Sequence, residues 1–285
     1  PNLYIMTRST IYSLLVSGML LVSQNSTAQS DQINDTMEGS VSTVDGYVPS
    51  MSITKDGKTA YFSKGTYEKP LYGVFSKKEL VYHIYRAENI NGEWTNITQL
   101  EVCPKHYSAK HPTVTEDGTR LFFASNMKGT FGKYDIYVAD IAADGSVGVS
   151  KNLGPKVNTK EDELYPSIYN ETLLFFASEG RDGFGGLDLY ASQVVKNTLT
   201  TSVNLGAHIN TNSDEYAIQL SPEKKMGFVV SNRGFNNTVS QYTVAYGRSS
   251  KRDQYNDVAD GGTGLQTAMN GNAYDYVDTS FQDED

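Results

Sequence analysis

The sequence predicts an all-β fold, a β-propeller of four-stranded blades, and three observations predict it. Several motifs recur with a period near 53 residues. Asp-Gly pairs stand between short apolar runs, where they favour tight hairpin turns because their residues tolerate positive φ. The aromatic content is 20 Tyr and 11 Phe against one Trp and 8 Pro, a balance suited to pleated, half-buried surfaces.

The repeat dictates the fold, because each unit is one supersecondary structure. Leu121-Phe122-Phe123-Ala124-Ser125 returns as Leu174-Phe175-Phe176-Ala177-Ser178 and then as Gly227-Phe228-Val229-Val230-Ser231, so the closing serines are 53 apart both times. Asp135-Ile136-Tyr137 returns as Asp188-Leu189-Tyr190 after 53 residues, and Asn152-Leu153-Gly154 as Asn204-Leu205-Gly206 after 52. His83-Ile84-Tyr85 precedes the first of the Asp-x-Tyr motifs by 52. Within the clearest unit, His111 to Thr115 is read as strand one, Glu116-Asp117-Gly118 as a turn and Arg120 to Ser125 as strand two. The Gly-rich connection Lys128 to Lys133 leads to strand three, Tyr134 to Ile141, and Asp144-Gly145 turns the chain into strand four near Val147 to Leu153. Four short strands at such a period mean propeller blades. Gly57 and Gly118, at matching Asp-Gly turns, are expected at positive φ, and Asp135, Asp188, Tyr137 and Tyr190 are read as repeated structural positions.

Four copies fill residues 45–246, preceded and followed by segments of other character. Met6 to Ala28 reads as a secretory signal peptide, with Arg8, the apolar run Ile11 to Leu21 and a Ser26-Thr27-Ala28 exit. Domain 1–28 is therefore expected to be removed, and the mature chain to have no transmembrane segment. Residues 29–44 are a candidate ring-closing strand, because Gly39 to Ser50 resembles the linker Leu153 to Ser167 and the last copy stops after its third strand. Completion by a second chain is the alternative. Residues 247–285 carry eight acidic and three basic residues without periodicity and are read as an acidic, disordered tail.

The formal charge of -9 and pI near 5.0 argue against a nucleic-acid partner, which needs a basic face. A single cysteine, Cys103, excludes an internal disulfide and a multi-cysteine zinc site. His83, His106, His111 and His208 lack metal-ligand spacing, so no metal and no cofactor are expected. Gly-x-Ser-x-Gly is absent, and Gly183-Phe184-Gly185-Gly186 lacks the third glycine of a dinucleotide fingerprint. Paired carboxylates would suit a propeller glycosidase, but Asp135, Asp188, Asp162-Glu163 and Asp214-Glu215 recur with the period. A repeated residue answers a repeated structural need.

The run Pro112 to Asn126, its Gly-rich loop and Tyr134-Asp135-Ile136-Tyr137 resemble the TolB-type, WD-repeat-like β-propeller. The linker Asn204 to Tyr216 resembles the version common in cell-envelope proteins of Bacteroidetes. Such propellers are often joined to OmpA-like peptidoglycan-binding domains, and some belong to type IX secretion and gliding machinery. The resemblance covers about 200 of 285 residues and implies fold far more strongly than function. The residues after Tyr246 are too few for an OmpA-like domain, so direct peptidoglycan anchoring is not expected of them. Asp35-Thr36-Met37 fits a short O-glycosylation pattern carried by resembling proteins.

Lys128, Arg181 and Arg233 follow the second strands, and Tyr47, Tyr165 and Tyr216 precede the first. If these loops share one rim, basic and aromatic groups meet there, the residue types favoured as interface anchors. Packing between blades is the other reading of the same residues. The expectation is an exported, non-enzymatic scaffold, periplasmic or outer-membrane associated, that binds an envelope protein or a glycan. The alternative is a carbohydrate-active propeller enzyme, whose mark would be a non-repeating carboxylate pair in the channel.

Overall fold

A computed structural model describes residues 51–70, 77–195, 198–221 and 226–245. The first blade is β1 (Met51–Ile53), β2 (Thr59–Glu68), β3 (Glu79–Ile90) and β4 (Glu93–Gln99), paired in chain order. The second is β5 (Ala109–Val114), β6 (Arg120–Ser125), β7 (Asp135–Asp140) and β8 (Lys151–Asn152). The third is β9 (Glu163–Tyr169), β10 (Leu173–Ser178) and β11 (Asp188–Val195), whose outer edge is met by two short pieces, β12 (Thr198–Leu199) and β13 (Val203–Asn204). The fourth has three described strands, β14 (Glu215–Ser221), β15 (Met226–Ser231) and β16 (Ser240–Ala245). The result is all-β, four antiparallel sheets arranged as a four-bladed propeller.

The repeat decides which residues lie between blades. Every residue of β6 and β10 is buried, which requires a neighbouring sheet on each face. Phe122, Ala124, Ile136 and Val138 pack with the third and fourth blades, whereas Leu121, Phe123, Tyr137 and Ala139 pack toward Tyr61 and Ile84 of the first. Each buried Phe adds roughly 2–3 kcal/mol of transfer free energy. A cross-strand aromatic pair repeats within the blades: Phe62 with Tyr85, Phe123 with Tyr137 and Phe176 with Tyr190, ring centroids 5.7, 6.0 and 6.1 Å apart.

Two boundaries differ from the sequence reading. Strand four of the second blade narrows to Lys151–Asn152, with one isolated bridge from Ile141 to Val147. The cause is a closed turn: the Ala142 amide donates to the Ser146 carbonyl at 2.9 Å, and the Gly148 amide returns to Asp140 at 2.8 Å. Strand one begins at Ala109, ahead of His111, because a bulge between Lys110 and Thr113 adds residues to it. The segments 1–28, 29–44 and 247–285, and with them the signal peptide, the ring-closing strand and the acidic tail, lie outside the described residues.

In each meander the connections after strands two and four emerge at one end of the propeller. The turns after strands one and three emerge at the other. The two ends are called the loop end and the turn end below. At the turn end Gly57 and Gly118 adopt φ of 69° and 74°, and Asp56 and Asp117 each accept the amide two residues on, at 3.0 Å.

Candidate binding surface

The loop end is organised by the repeated Asn-Leu-Gly linker. Asn152 accepts the Gly154 amide at 2.8 Å, and Asn158 both accepts the Ile136 amide and donates to the Ile136 carbonyl, extending the ladder of β7 with a side chain. Asn204, Asn210 and Leu189 reproduce these bonds in the third blade. Next along each linker comes a buried glutamate. The Glu163 carboxylate accepts from the Thr159 amide, the Thr159 hydroxyl and the Ser178 hydroxyl, each at 2.7 Å. Glu215 accepts the same three bonds from Thr211 and Ser231. Asp162 and Asp214 reach back to the amides of Tyr134 and Leu187 and tie each blade to the one before.

Asp135 and Asp188 serve the loops after strand two. Asp135 accepts the Phe131 amide at 2.7 Å and the Gly132 amide at 3.3 Å, and Asp188 accepts those of Phe184 at 2.5 Å and Gly185 at 3.1 Å. Asn152 and Asn204 donate to the same carboxylates. Burial pushes the carboxyl groups of Asp135 and Glu163 above the usual range, against the pull of these donors. Both oxygens of Asp135, Asp188, Glu163 and Glu215 are thus engaged by the protein's own loops.

The candidate residues divide by setting. Lys128 is exposed at the loop end. Arg181 and Arg233 are half-buried: Arg181 donates to the carbonyls of Lys156 (3.1 Å) and Val157 (2.7 Å), and Arg233 to that of Ile209 (2.7 Å). Their guanidinium groups lie over Tyr190 and Tyr242, 5.7 and 4.7 Å from the ring centroids. Tyr137 and Tyr190 are buried, and the Tyr190 hydroxyl donates to the Asp182 carbonyl at 2.9 Å. Tyr47 lies outside the described residues.

Tyr165 and Tyr216 lie within the first strands β9 and β14 rather than before them, because these strands start at Glu163 and Glu215, and the Tyr165 ring meets both Tyr216 and His111. The His111 and Tyr165 rings stack with centroids 3.9 Å apart, and Tyr216 meets Tyr165 edge-on at 6.0 Å. His111 and Tyr165 occupy matching bulges, each just before a proline, with φ of 55° and 52°. The Tyr165 amide points at His111 Nδ1 across 3.4 Å, which calls for an unprotonated nitrogen there. His111 keeps part of its edge open to solvent, yet it sits deep among protein atoms. Desolvation, with Lys110 beside it, holds its pKa well below 6.5. The Tyr216 phenol is pushed up to about 12 by desolvation and by the neighbouring Asp214 carboxylate. The sequence signal for this stack was His111-Pro112 in register with Tyr165-Pro166, and sequence reasoning missed the histidine.

His83 stands where Asp135 and Asp188 stand in the next blades and is bound instead to Glu68, Nε2 to Oε1 at 2.7 Å. The Cys103 thiol is pushed up to about 11 by desolvation and donates to the Tyr107 carbonyl at 3.4 Å. Among the described residues no helix is long and apolar enough to cross a membrane.

No family model and no curated protein matches the chain. Among solved structures it is similar to a periplasmic gluconolactonase of Pseudomonas aeruginosa (14% identity, TM-score 0.39, 70% of this chain and 58% of that one). It is also similar to a putative TolB of Agrobacterium tumefaciens (13%, 0.43, 69% and 57%) and to TolB of Acinetobacter baumannii (17%, 0.41, 71% and 45%). The chain spans 45–58% of the length of these three. The propeller assignment itself rests on the strand pairing described above.

Proposed function

We propose that the protein is an exported, non-enzymatic scaffold of the cell envelope that holds an envelope protein or a glycan at its loop end. One observation carries this reading. The fully buried carboxylates among the described residues, Asp135, Asp188, Glu163 and Glu215, repeat from one blade to the next, and both oxygens of each accept bonds that shape the loops. A general acid or base needs an oxygen within reach of substrate. These oxygens face amides and hydroxyls of their own chain. On this reading Lys128 meets the partner directly, and Arg181 and Arg233 act by fixing the loops that surround it. Tyr165 and Tyr216 then form the aromatic floor near the axis.

The test pairs two assays on one preparation. A panel of glycans, lactones and peptides is incubated with the protein, and immobilised protein is used to capture components of solubilised envelope extract. The reading predicts no product and a saturable partner whose capture weakens in Lys128→Glu. Turnover of any substrate at catalytic ratio would overturn it.

A further inference from the structure

Three phenylalanines stand in the loops after strand two, Phe131 and Phe184 at matching points and Phe235 two residues nearer the strand. Phe131, Phe184 and Phe235 are 53%, 50% and 88% exposed. A loop free to move would fold such a ring against the protein. Here the backbone is pinned on two sides. Asp135 and Asp188 hold the amides of Phe131 and Phe184 from within. The glycine after Phe131 and after Phe184 lies flat on the next linker: a Cβ at Gly132 would collide with the Lys160 carbonyl carbon, and one at Gly185 with the Ser213 carbonyl oxygen. Phe235 heads a short 3-10 turn, Phe235–Asn237, closed by the Thr238 hydroxyl donating to its carbonyl at 2.8 Å. The rings are therefore presented outward by design of the loops.

The carboxylates that begin the strands at this end, Asp135, Asp188, Glu163 and Glu215, are turned inward, and among the exposed described residues there Lys69, Lys77, Lys78, Lys105, Lys128, Lys133 and Lys160 outnumber Glu79, Glu101, Glu179 and Asp182. The described loop-end segments 69–70, 77–78, 100–108, 126–134, 153–162, 179–187, 205–214 and 232–239 hold ten Lys and Arg against six Asp and Glu. The described turn-end segments 54–58, 91–92, 115–119, 141–150, 170–172 and 200–202 hold two against five. The whole chain is at -9.

We propose that the loop end docks on an anionic lipid surface, with Phe131, Phe184 and Phe235 entering the interfacial layer and the lysines around them meeting the headgroups. The rings belong to three different loops, and none joins the apolar clusters between blades. Separate apolar points suit a fluid layer, which needs no matching pocket, better than a protein surface, which must supply one pocket for each. Binding of this kind grows with the apolar area inserted and with attraction of basic groups to anionic lipid. The proposal rests on the loop end being the binding surface, and adds where that surface works.

The full chain and its Phe131→Ser/Phe184→Ser/Phe235→Ser variant are floated with vesicles of phosphatidylcholine, with and without phosphatidylglycerol at about one third. The apolar run Ile11 to Leu21 is common to both proteins, so the difference between them reads the loops. The expected result is preferential flotation of the parent with anionic vesicles, weakened by salt, and a loss of about tenfold or more per ring in the variant. Both proteins should share one melting temperature, because the rings are exposed. Separately, Phe235→Trp should show a blue-shifted emission on anionic vesicles, read against the parent's Trp94 at the turn end. Equal flotation of parent and triple variant, or an unshifted emission from Phe235→Trp, overturns the proposal. Loss of capture of an envelope protein or a glycan by the triple variant, without any lipid effect, also overturns it while leaving the scaffold reading standing. Catalytic turnover would remove the scaffold reading instead and leave the vesicle result unaffected.

Discussion

Single residues carry the strain and the unusual titrations. His111 is held neutral between Tyr165 and the protein interior. A histidine whose folded pKa is depressed contributes stability that is present above its unfolded value of 6.5 and is lost as pH falls toward the folded value. The parent should therefore lose more melting temperature than His111→Phe between about pH 7.5 and about pH 5.5, since phenylalanine keeps the stack without the titration. Equal losses would show that the imidazole titrates normally. Tyr216 offers a second reading of the same stack: the late phenol ionisation seen by ultraviolet titration should be smaller by one group in Tyr216→Phe. Gly118, at φ 74°, lies where a β-branched side chain is disfavoured, so Gly118→Val should cost about 1–2 kcal/mol in denaturant unfolding. The Asp-Gly turns were readable from sequence because their φ requirement is local. The His111 stack was not, because the bulges that turn these side chains toward one another depend on pairing with β6 and β10.

At the scale of the element, the repeated acidic residues are fasteners. Asp188→Ala would leave the Phe184 and Gly185 amides and the Asn204 amide group without their acceptor. A stability loss of about 3 kcal/mol is expected from those unmet donors, checked by urea unfolding. Asp188→Asn should recover only part of it, because a neutral amide accepts more weakly. Arg233→Ala gives up the bond to Ile209, the ion pair with Glu215 at 3.4 Å and the contact with Tyr242. It should lower the melting temperature measurably; an unchanged melt with weakened partner capture would place its work at the surface instead. The period announced that these positions share a task. It did not say that the task is loop geometry, since a carboxylate bonded to amides and one aimed at substrate have the same spacing. The exposed phenylalanines were equally hidden. Phe131 and Phe184 lie in Gly-rich stretches whose sequence says loop, and only the burial pattern distinguishes a ring held in water from one tucked between blades.

For the whole molecule, the propeller follows from one rule applied four times: a middle strand apolar on both faces needs a sheet on each side. That rule was legible in Leu-Phe-Phe-Ala-Ser. The polarity between the ends was not, because the net charge of -9 averages over both of them. Recognition at the loop end is the central point. Two charge-reversed variants test this most directly, Lys128→Glu/Lys160→Glu at the loop end and Lys55→Glu/Lys58→Glu at the turn end. All four side chains are exposed, so the loop-end variant should melt like the parent, and the turn-end variant, which gives up the surface pair of Lys55 with Glu116 at 2.6 Å, somewhat lower; capture is compared per folded molecule. Capture of the same component from envelope extract is then measured across a concentration series. The account predicts affinity about tenfold weaker for the loop-end variant and unchanged for the turn-end variant. The opposite pattern, with binding lost at the turn end and kept at the loop end, would contradict it.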